Sequence, residues 1–245
     1  MISQDKQQIY QMLHKIANWA YGYPAPGFTT EIPNFCEESK TENKSSNTET
    51  ILQNISEKIQ NCKRCSLCKD KMKSVPGMGV LNPIVMVIGE GPGADEDATG
   101  LPFVGKAGQL LDKMLAAISL SRTENCFIAN IVKCRPPGNR DPLPEEIDAC
   151  RSYLEAQISV LKPTMILTLG RIATQTLLNS QDGIGRLHGQ FHEYNGIPIM
   201  ATYHPSALLR NQELKRPAWD DLKAFRSKLE QLVPDYNVSF KAGQK

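Results

Sequence analysis

Four short runs in the later part of the chain are apolar almost throughout: "PIVMVIGE" (83–90), "CFIANIVK" (126–133), "TMILTLG" (164–170) and "IPIMATYH" (197–204). A strand with one wet face alternates apolar and polar residues, whereas a strand covered on both faces has no such alternation. Between these runs lie segments of helical spacing. "KAGQLLDKMLAAISL" carries Leu110, Leu111, Met114, Leu115 and Ile118 on one face; "PEEIDACRSYLEAQISVL" opens on Pro144 with acids just behind it; "RIATQTLLNS" follows. A last helix is expected from about 217 to 232. Strands alternating with helices imply an α/β protein with a parallel sheet, helices on both faces and a ligand site at the carboxyl ends of the strands.

The first 50 residues differ. They read as a short helix over about 3–20, the turn-rich "YGYPAPGFTTEIPNF" and the polar run "EESKTENKSSNTET", which has the composition of a flexible linker. The core is expected to begin near 50, where Thr50 suits the cap of a helix with Ile51, Leu52, Ile55 and Ile59 on one face. A length of 245 residues fits one large domain or a domain with an appendage. No apolar run approaches the roughly 18 residues that span a bilayer, and the polar start is unlike a signal peptide, so a cytoplasmic location without membrane contact is expected. In a reducing compartment the seven cysteines read as metal ligands, reactive thiols or small buried hydrophobes. The net charge of +2 does not announce a nucleic-acid binder. Basic residues do cluster at Lys63, Arg64, Lys69, Lys71 and Lys73, at Lys133, Arg135 and Arg140, and at Arg210, Lys215 and Arg216. Taken singly, each cluster reads as a solvated face.

The polar and special residues collect at the strand ends. After the first run, "GEGPGADED" has the glycines of a dinucleotide loop but fails as one. Asp95, Glu96 and Asp97 would face the pyrophosphate, Pro92 removes an amide donor, and the next helical segment starts too far on. A Walker loop fails for want of Gly-Lys-Ser or Gly-Lys-Thr. The glycines instead suit close approach of a flat ligand to the backbone, with amides of Glu90 and Gly91 aimed at it. After the fourth run, "HPSALLR" places Ser206 and Arg210 where they suit phosphates, and Leu208 or Leu209 as a wedge between bases. "NCKRCSLCKD" spaces Cys62, Cys65 and Cys68 three residues apart, which cannot by itself close a tetrahedral metal site.

"GEGPGADEDATGLPFVGKAGQLL", "IANIVKCRPPGNRDPLPEEIDAC" and "YHPSALLR", preceded by "CKRC", resemble the family 4, iron–sulfur uracil-DNA glycosylases over roughly three quarters of the chain. The resemblance implies a three-layer α/β/α fold with a four-stranded parallel sheet. It implies a catalytic domain over 51–235, with 1–50 as an N-terminal extension and 236–245 as a tail. It further implies hydrolysis of the N-glycosidic bond of uracil flipped out of single- or double-stranded DNA, the first step of base excision repair. By the same resemblance His204 donates to uracil O2, Gly89, Glu90 and Gly91 line the pocket, and Phe103 stacks on the ring. Asn130 reads the N3 and O4 edge, and Glu96 fills the space a thymine methyl needs. Related glycosylases place an aspartate where Gly91 stands, so water activation falls to Glu90 or to a water held by Asn139. On spacing alone, four thiolates fit zinc or an iron–sulfur centre. The resemblance selects a [4Fe–4S] cluster on Cys62, Cys65, Cys134 and Cys150, with a structural role and no need for Cys68. A monomer is expected, with no repair partner identifiable from the sequence. The competing readings are a non-catalytic iron–sulfur nucleic-acid binding module and a related glycosylase with wider deaminated-base specificity, such as hypoxanthine.

Overall fold

A computed structural model describes residues 42–238 and 240, which belong to one compact unit. The expected helix over 3–20, the turn-rich segment and Cys36 lie outside the described residues. The sheet contains β1 (Met78–Gly79), β2 (Val85–Gly89), β3 (Cys126–Asn130), β4 (Met165–Leu169), β5 (Phe191–Tyr194) and β6 (Ile197–Thr202), in the order β1-β3-β2-β4-β6-β5. The four apolar runs become the four inner strands, β3-β2-β4-β6, all parallel. Two antiparallel edges were not expected: β1 on β3 and β5 on β6. β5 reads "FHEY" with Phe191 exposed, the pattern of an edge strand with a wet side, and β1 is only two residues long. Continuous apolarity could reveal neither.

The helices are α1 (Glu42–Gln60), α2 (Ala94–Thr99), α3 (Lys106–Ala116), α4 (Pro144–Leu161), α5 (Arg171–Leu178), α6 (Ile184–Leu187), α7 (Pro205–Arg210) and α8 (Lys215–Leu232). Two apolar layers sandwich the sheet. Val85 and Val87 of β2 face Leu111, Leu115, Phe225 and Leu229 of α3 and α8. Met86 and Ile88 face Leu154, Ile158 and Leu161 of α4 and Ala173 of α5. Chain leaving β2 therefore passes to one face and chain leaving β4 to the other, which opens a crevice at the carboxyl edge of the sheet. Pairing of Gly89 with Asn130 and of Leu169 with Thr202 brings the strand ends level there.

α4 matches its expected span, ending where Lys162 adopts a left-handed cap. α3 stops at Ala116, short of the expected 120, because Ser119 takes a positive φ of 58° and turns the chain. α8 starts two residues before Pro217. α1 begins at Glu42, so Thr50 sits inside it rather than at its cap, and residues 42–50 are helical rather than linker. That polar stretch has no Gly or Pro to stop a helix; its composition reports the lack of an apolar partner, not the lack of a helix. Tyr236, expected to open the tail, packs on the core and donates its hydroxyl to the Ile118 carbonyl at 2.7 Å. No helix among the described residues is long and apolar enough to cross a membrane.

Candidate active site and cysteine corner

Four residues far apart in sequence meet at the carboxyl edge. A Cβ on Gly89 would fall 2.5 Å from both Asn130 Oδ1 and the Phe103 ring. The Phe103 ring lies 5.7 Å from the His204 ring, centroid to centroid, at a 35° tilt. Phe103 and Asn130 are buried, and Asn130 Oδ1 has no hydrogen-bond partner among the described residues. Buried amide oxygens are seldom left unpaired, because desolvation without a partner costs about 1–3 kcal/mol. A ligand with a donor at this point would satisfy the acceptor.

Phe103 holds an unfavourable positive φ of 53°. Its loop is clamped from several directions. Glu96 Oε1 accepts from the amides of Val104 at 2.9 Å and Gly105 at 3.1 Å, while Oε2 accepts from Gly93 at 3.0 Å. Arg122 donates to the carbonyls of Pro102 and Phe103 at 2.8 and 2.9 Å and pairs with Asp112. A Cβ on Gly108 would lie 1.9 Å from the Phe103 carbonyl oxygen, so only glycine allows that approach. Glu96, expected to exclude a methyl group, thus also straps the loop that carries the stacking ring. Sequence reading missed Arg122 and Gly108, since both act on backbone and neither belongs to a chemical motif.

His204 caps α7. Its Nδ1 accepts from the Ser206 amide at 3.2 Å and lies 2.8 Å from Ser206 Oγ. A backbone N–H can only donate, so the neutral ring carries its proton on Nε2. Burial, with Arg210 adding to it and Glu96 opposing it, lowers the His204 pKa to about 4. The ring is therefore neutral at pH 7 and still offers one N–H donor.

At the other side of the crevice Glu90 is pushed up to about 7, by burial first and by Asp141 next, with Arg171 opposing. Arg171 pairs with Asp141. Asn139 is exposed, has φ 56°, and its Oδ1 accepts from Arg135 Nε at 2.8 Å. Gly91 packs close to Val132, where a Cβ would approach Cγ2 to 2.8 Å.

The DNA-contact expectation needs one correction. Leu208 is 2% exposed and belongs to the core, so it cannot wedge between bases; Leu209 is 43% exposed. The ends of "ALLR" alternate around a short helix, and sequence could not tell which leucine faced inward. Ser206 is engaged with His204, and Arg210 is exposed. Lys133 also departs from its reading as a solvated residue: it is 1% exposed, and burial lowers its pKa to about 7, against the opposing charge of Cys150. Its place beside an apolar run was the available signal.

The cysteine loop and the segment after β3 converge on α4. All six described cysteines are unbridged. Cys62 and Cys68 oppose ionisation of Cys65, Cys65 and Cys62 that of Cys134, and Cys134 and Cys65 that of Cys150. Cys62, Cys65, Cys134 and Cys150 are thus mutually linked, and Cys68 joins through Cys65. Burial is the main force raising Cys65 and Cys134 and pushing Cys150 up to about 11. Among the described residues no three Cys, His, Asp or Glu side chains are grouped at metal-ligating distances. The donor chemistry still fits a thiolate-bound centre, because four thiols neighbour one another and Lys71 and Lys133 favour ionisation of Cys134 and Cys150 respectively. Glu146 locks this corner. Its fully buried carboxylate accepts from Arg140 at 2.7 and 2.9 Å, Ser66 at 2.9 Å and the Leu143 amide at 2.8 Å, and the Arg140 bond foremost lowers its pKa to about 2.

Comparison with known proteins places this geometry. Residues 76–223 match the model of the uracil DNA glycosylase superfamily. A type-4 uracil-DNA glycosylase of Archaeoglobus fulgidus is 42% identical over 180 residues, 70% of this chain and 90% of that protein. One from Thermotoga maritima is 39% identical over 183 residues, 73% of this chain and 95% of that protein. A type-5 uracil-DNA glycosylase of Pyrobaculum aerophilum is 34% identical over 152 residues, 56% of this chain and 67% of that protein.

Proposed function

This chain belongs to the uracil-DNA glycosylase superfamily, alongside its type-4 members, and from that premise we propose how its residues remove uracil from DNA. The observation that carries the reading is the buried Asn130 Oδ1, without a partner among the described residues, beside Gly89 and the Phe103 ring that lies 5.7 Å from the His204 ring. Uracil N3–H is a donor of the kind that oxygen lacks. Paired bases hide this edge, so the nucleotide must first leave the stack.

With the base in place, Phe103 stacks on the ring, Asn130 Oδ1 accepts from N3–H, and Asn130 Nδ2 donates to O4. The C1′–N1 bond breaks with its electron pair moving to the uracil, and negative charge grows on O2. Neutral His204 meets that oxygen with its Nε2–H, donating without giving up a proton. A donor preorganised at a developing anion lowers the barrier by about 3 kcal/mol. Water adds to C1′, and its proton passes to Glu90, whose pKa near 7 suits a base at neutral pH. The uracil anion takes a proton from solvent and Glu90 returns its own to solvent, so the products are free uracil and an abasic site. Glu96 keeps Phe103 in position and closes the space a thymine methyl would occupy, Gly91 gives room beside it, and Asn139 lies at the rim. Ser206, Leu209 and Arg210 contact the DNA strand.

Cys62, Cys65, Cys134 and Cys150 would hold a [4Fe–4S] cluster. When bound it supplies a crosslink between the cysteine loop, the segment after β3 and α4, outside the proton chemistry. The catalytic domain takes in the whole of α1 from Glu42 and the core-packed Tyr236, and acts as a cytoplasmic monomer on single- or double-stranded DNA.

An oligonucleotide with one uracil tests the reading. Strand scission at the uracil after alkali is expected, with thymine and hypoxanthine substrates left intact. Tight binding without scission makes the protein a docking module, and cleavage of hypoxanthine makes it a broader glycosylase. The purified protein should be brown and contain iron; a colourless protein with stoichiometric zinc refutes the cluster.

A further inference from the structure

Lys133 is among the largest fully buried side chains, yet no step above uses it. A buried amine must be hydrogen-bonded, whereas a hydrophobe of similar length fills the same space without that demand. Nζ is directed at two acceptors. It donates to the backbone carbonyl of Asn130 at 2.9 Å and to Gln157 Oε1 at 2.8 Å. Gln157 Nε2 in turn donates to the Pro76 carbonyl at 2.8 Å, and the Val75 amide donates to the Lys133 carbonyl at 2.7 Å. Nζ is thus fixed between α4 and the segment before β1, with one arm on the last residue of β3.

That arm falls at the carboxyl end of β3. Asn130 is the last residue in register with β2, and beyond it the Ile131 amide still donates to the Gly89 carbonyl at 2.9 Å and the Val132 amide to the Glu90 carbonyl at 3.1 Å, so Lys133 holds the carbonyl end of a peptide whose N–H is tied to β2. The orientation of the 130–131 peptide sets where the Asn130 Cα–Cβ bond points, and so whether the amide stays beside Gly89.

We propose that Lys133 is a positioning residue for uracil recognition: through its bond to the Asn130 carbonyl it holds the Asn130 amide in the base-reading orientation. This rests on the reading of Asn130 as the residue that meets the uracil edge. Lys133 also sits next to Cys134, so the same side chain mechanically ties the cysteine corner to the pocket.

A double-mutant cycle on the full, iron-loaded chain tests this. Wild type, Lys133→Met, Asn130→Ala and the double variant are compared for single-turnover cleavage of a uracil oligonucleotide and for binding of free uracil, with iron content and melting temperature measured on each. Lys133→Met should lower both cleavage and uracil affinity about tenfold, the scale of a buried hydrogen bond removed with its acceptor left unpaired. In the Asn130→Ala background the same change should cost less than about twofold, because there is no amide left to orient. Losses that multiply at unchanged iron content overturn the proposal, since a purely structural role acts independently of Asn130. If Lys133→Met does not fold, Gln157→Met is read in the same cycle, and multiplicative loss there overturns the proposal equally. A wild-type chain that binds uracil without cleaving DNA overturns the glycosylase reading instead and leaves the binding cycle to decide the role of Lys133.

Discussion

The crevice and the cysteine corner are built from the same strands and loops, yet they treat polar groups in opposite ways. In the crevice Asn130 Oδ1 is buried with no partner among the described residues, Phe103 sits at a strained φ, and His204, whose Nδ1 accepts from Ser206, carries its N–H on Nε2. In the corner Glu146 accepts four hydrogen bonds from three residues, and Ser74 Oγ donates to the Ile59 carbonyl at 3.1 Å and contacts Cys134 Sγ at 3.8 Å. Unmet valence costs stability and marks a place for a ligand, whereas closed valence contributes stability and marks a joint. Variants in the crevice should therefore lower rate with little loss of stability, and variants in the corner should do the reverse.

The largest effect belongs to the corner. Cys150→Ala should abolish iron binding and lower the unfolding free energy by about 5 kcal/mol or more, since a structural metal centre contributes on that scale. Full iron content with an unchanged melting temperature would show that the corner is not a joint. Next comes His204→Ala, expected to slow single-turnover cleavage about 100-fold with iron content and melting temperature unaltered. An unaltered rate removes His204 from the chemistry.

Glu146→Gln should cost about 2 kcal/mol, less than a fully buried pair because Arg140 is 38% exposed. In the native protein the folded pKa near 2 lies below the ordinary carboxylate value of 4.5. Stability from Glu146 is then fully present above about pH 4.5 and is lost as pH falls toward 2. Acid-unfolding curves of the two proteins should converge at the low end; parallel curves would mean the pair contributes nothing.

Glu90 gives the crevice the opposite pH signature. Its pKa is raised to about 7, so folding gains relative stability as pH falls through the window between 7 and 4.5, while the carboxylate needed as base is progressively protonated. Cleavage should fall about tenfold for each pH unit below 7, and Glu90→Gln should be slow and flat across that range. A wild-type profile already flat from pH 5 to 7 shows that water needs no base here. Smallest is Leu209→Ala, expected to slow cleavage about fivefold on duplex and less on single strands, as loss of a wedge would. Equal effects on both substrates count against insertion, and Leu208→Ala should instead show itself as lost stability.

Much of this was legible in the residues. Period-free apolar runs gave the inner strands, Pro144 with its following acids gave α4 to the residue, and the cysteine spacings gave a corner incomplete without distant partners. The failures share a cause. β5 was invisible because an edge strand keeps a wet side, α1 was cut short because its first turns are polar on every face, and Lys133 was read as solvated because charge alone does not reveal burial. Leu208 and Leu209 are neighbours of equal hydrophobicity, and only packing of α7 against α3 decides which is core.

By itself the sequence determined the layer architecture, the catalytic edge and the residue types available there, because periodicity and spacing are local properties of the chain. Only the tertiary structure decided which polar atoms are left without partners. Whether Asn130 Oδ1 is open, Glu146 is met by Ser66 or Lys133 is held by Gln157 depends on what arrives from elsewhere in the chain, and hydrogen bonding across 80 residues (Ser66 to Glu146) or 24 (Lys133 to Gln157) is written in no single segment.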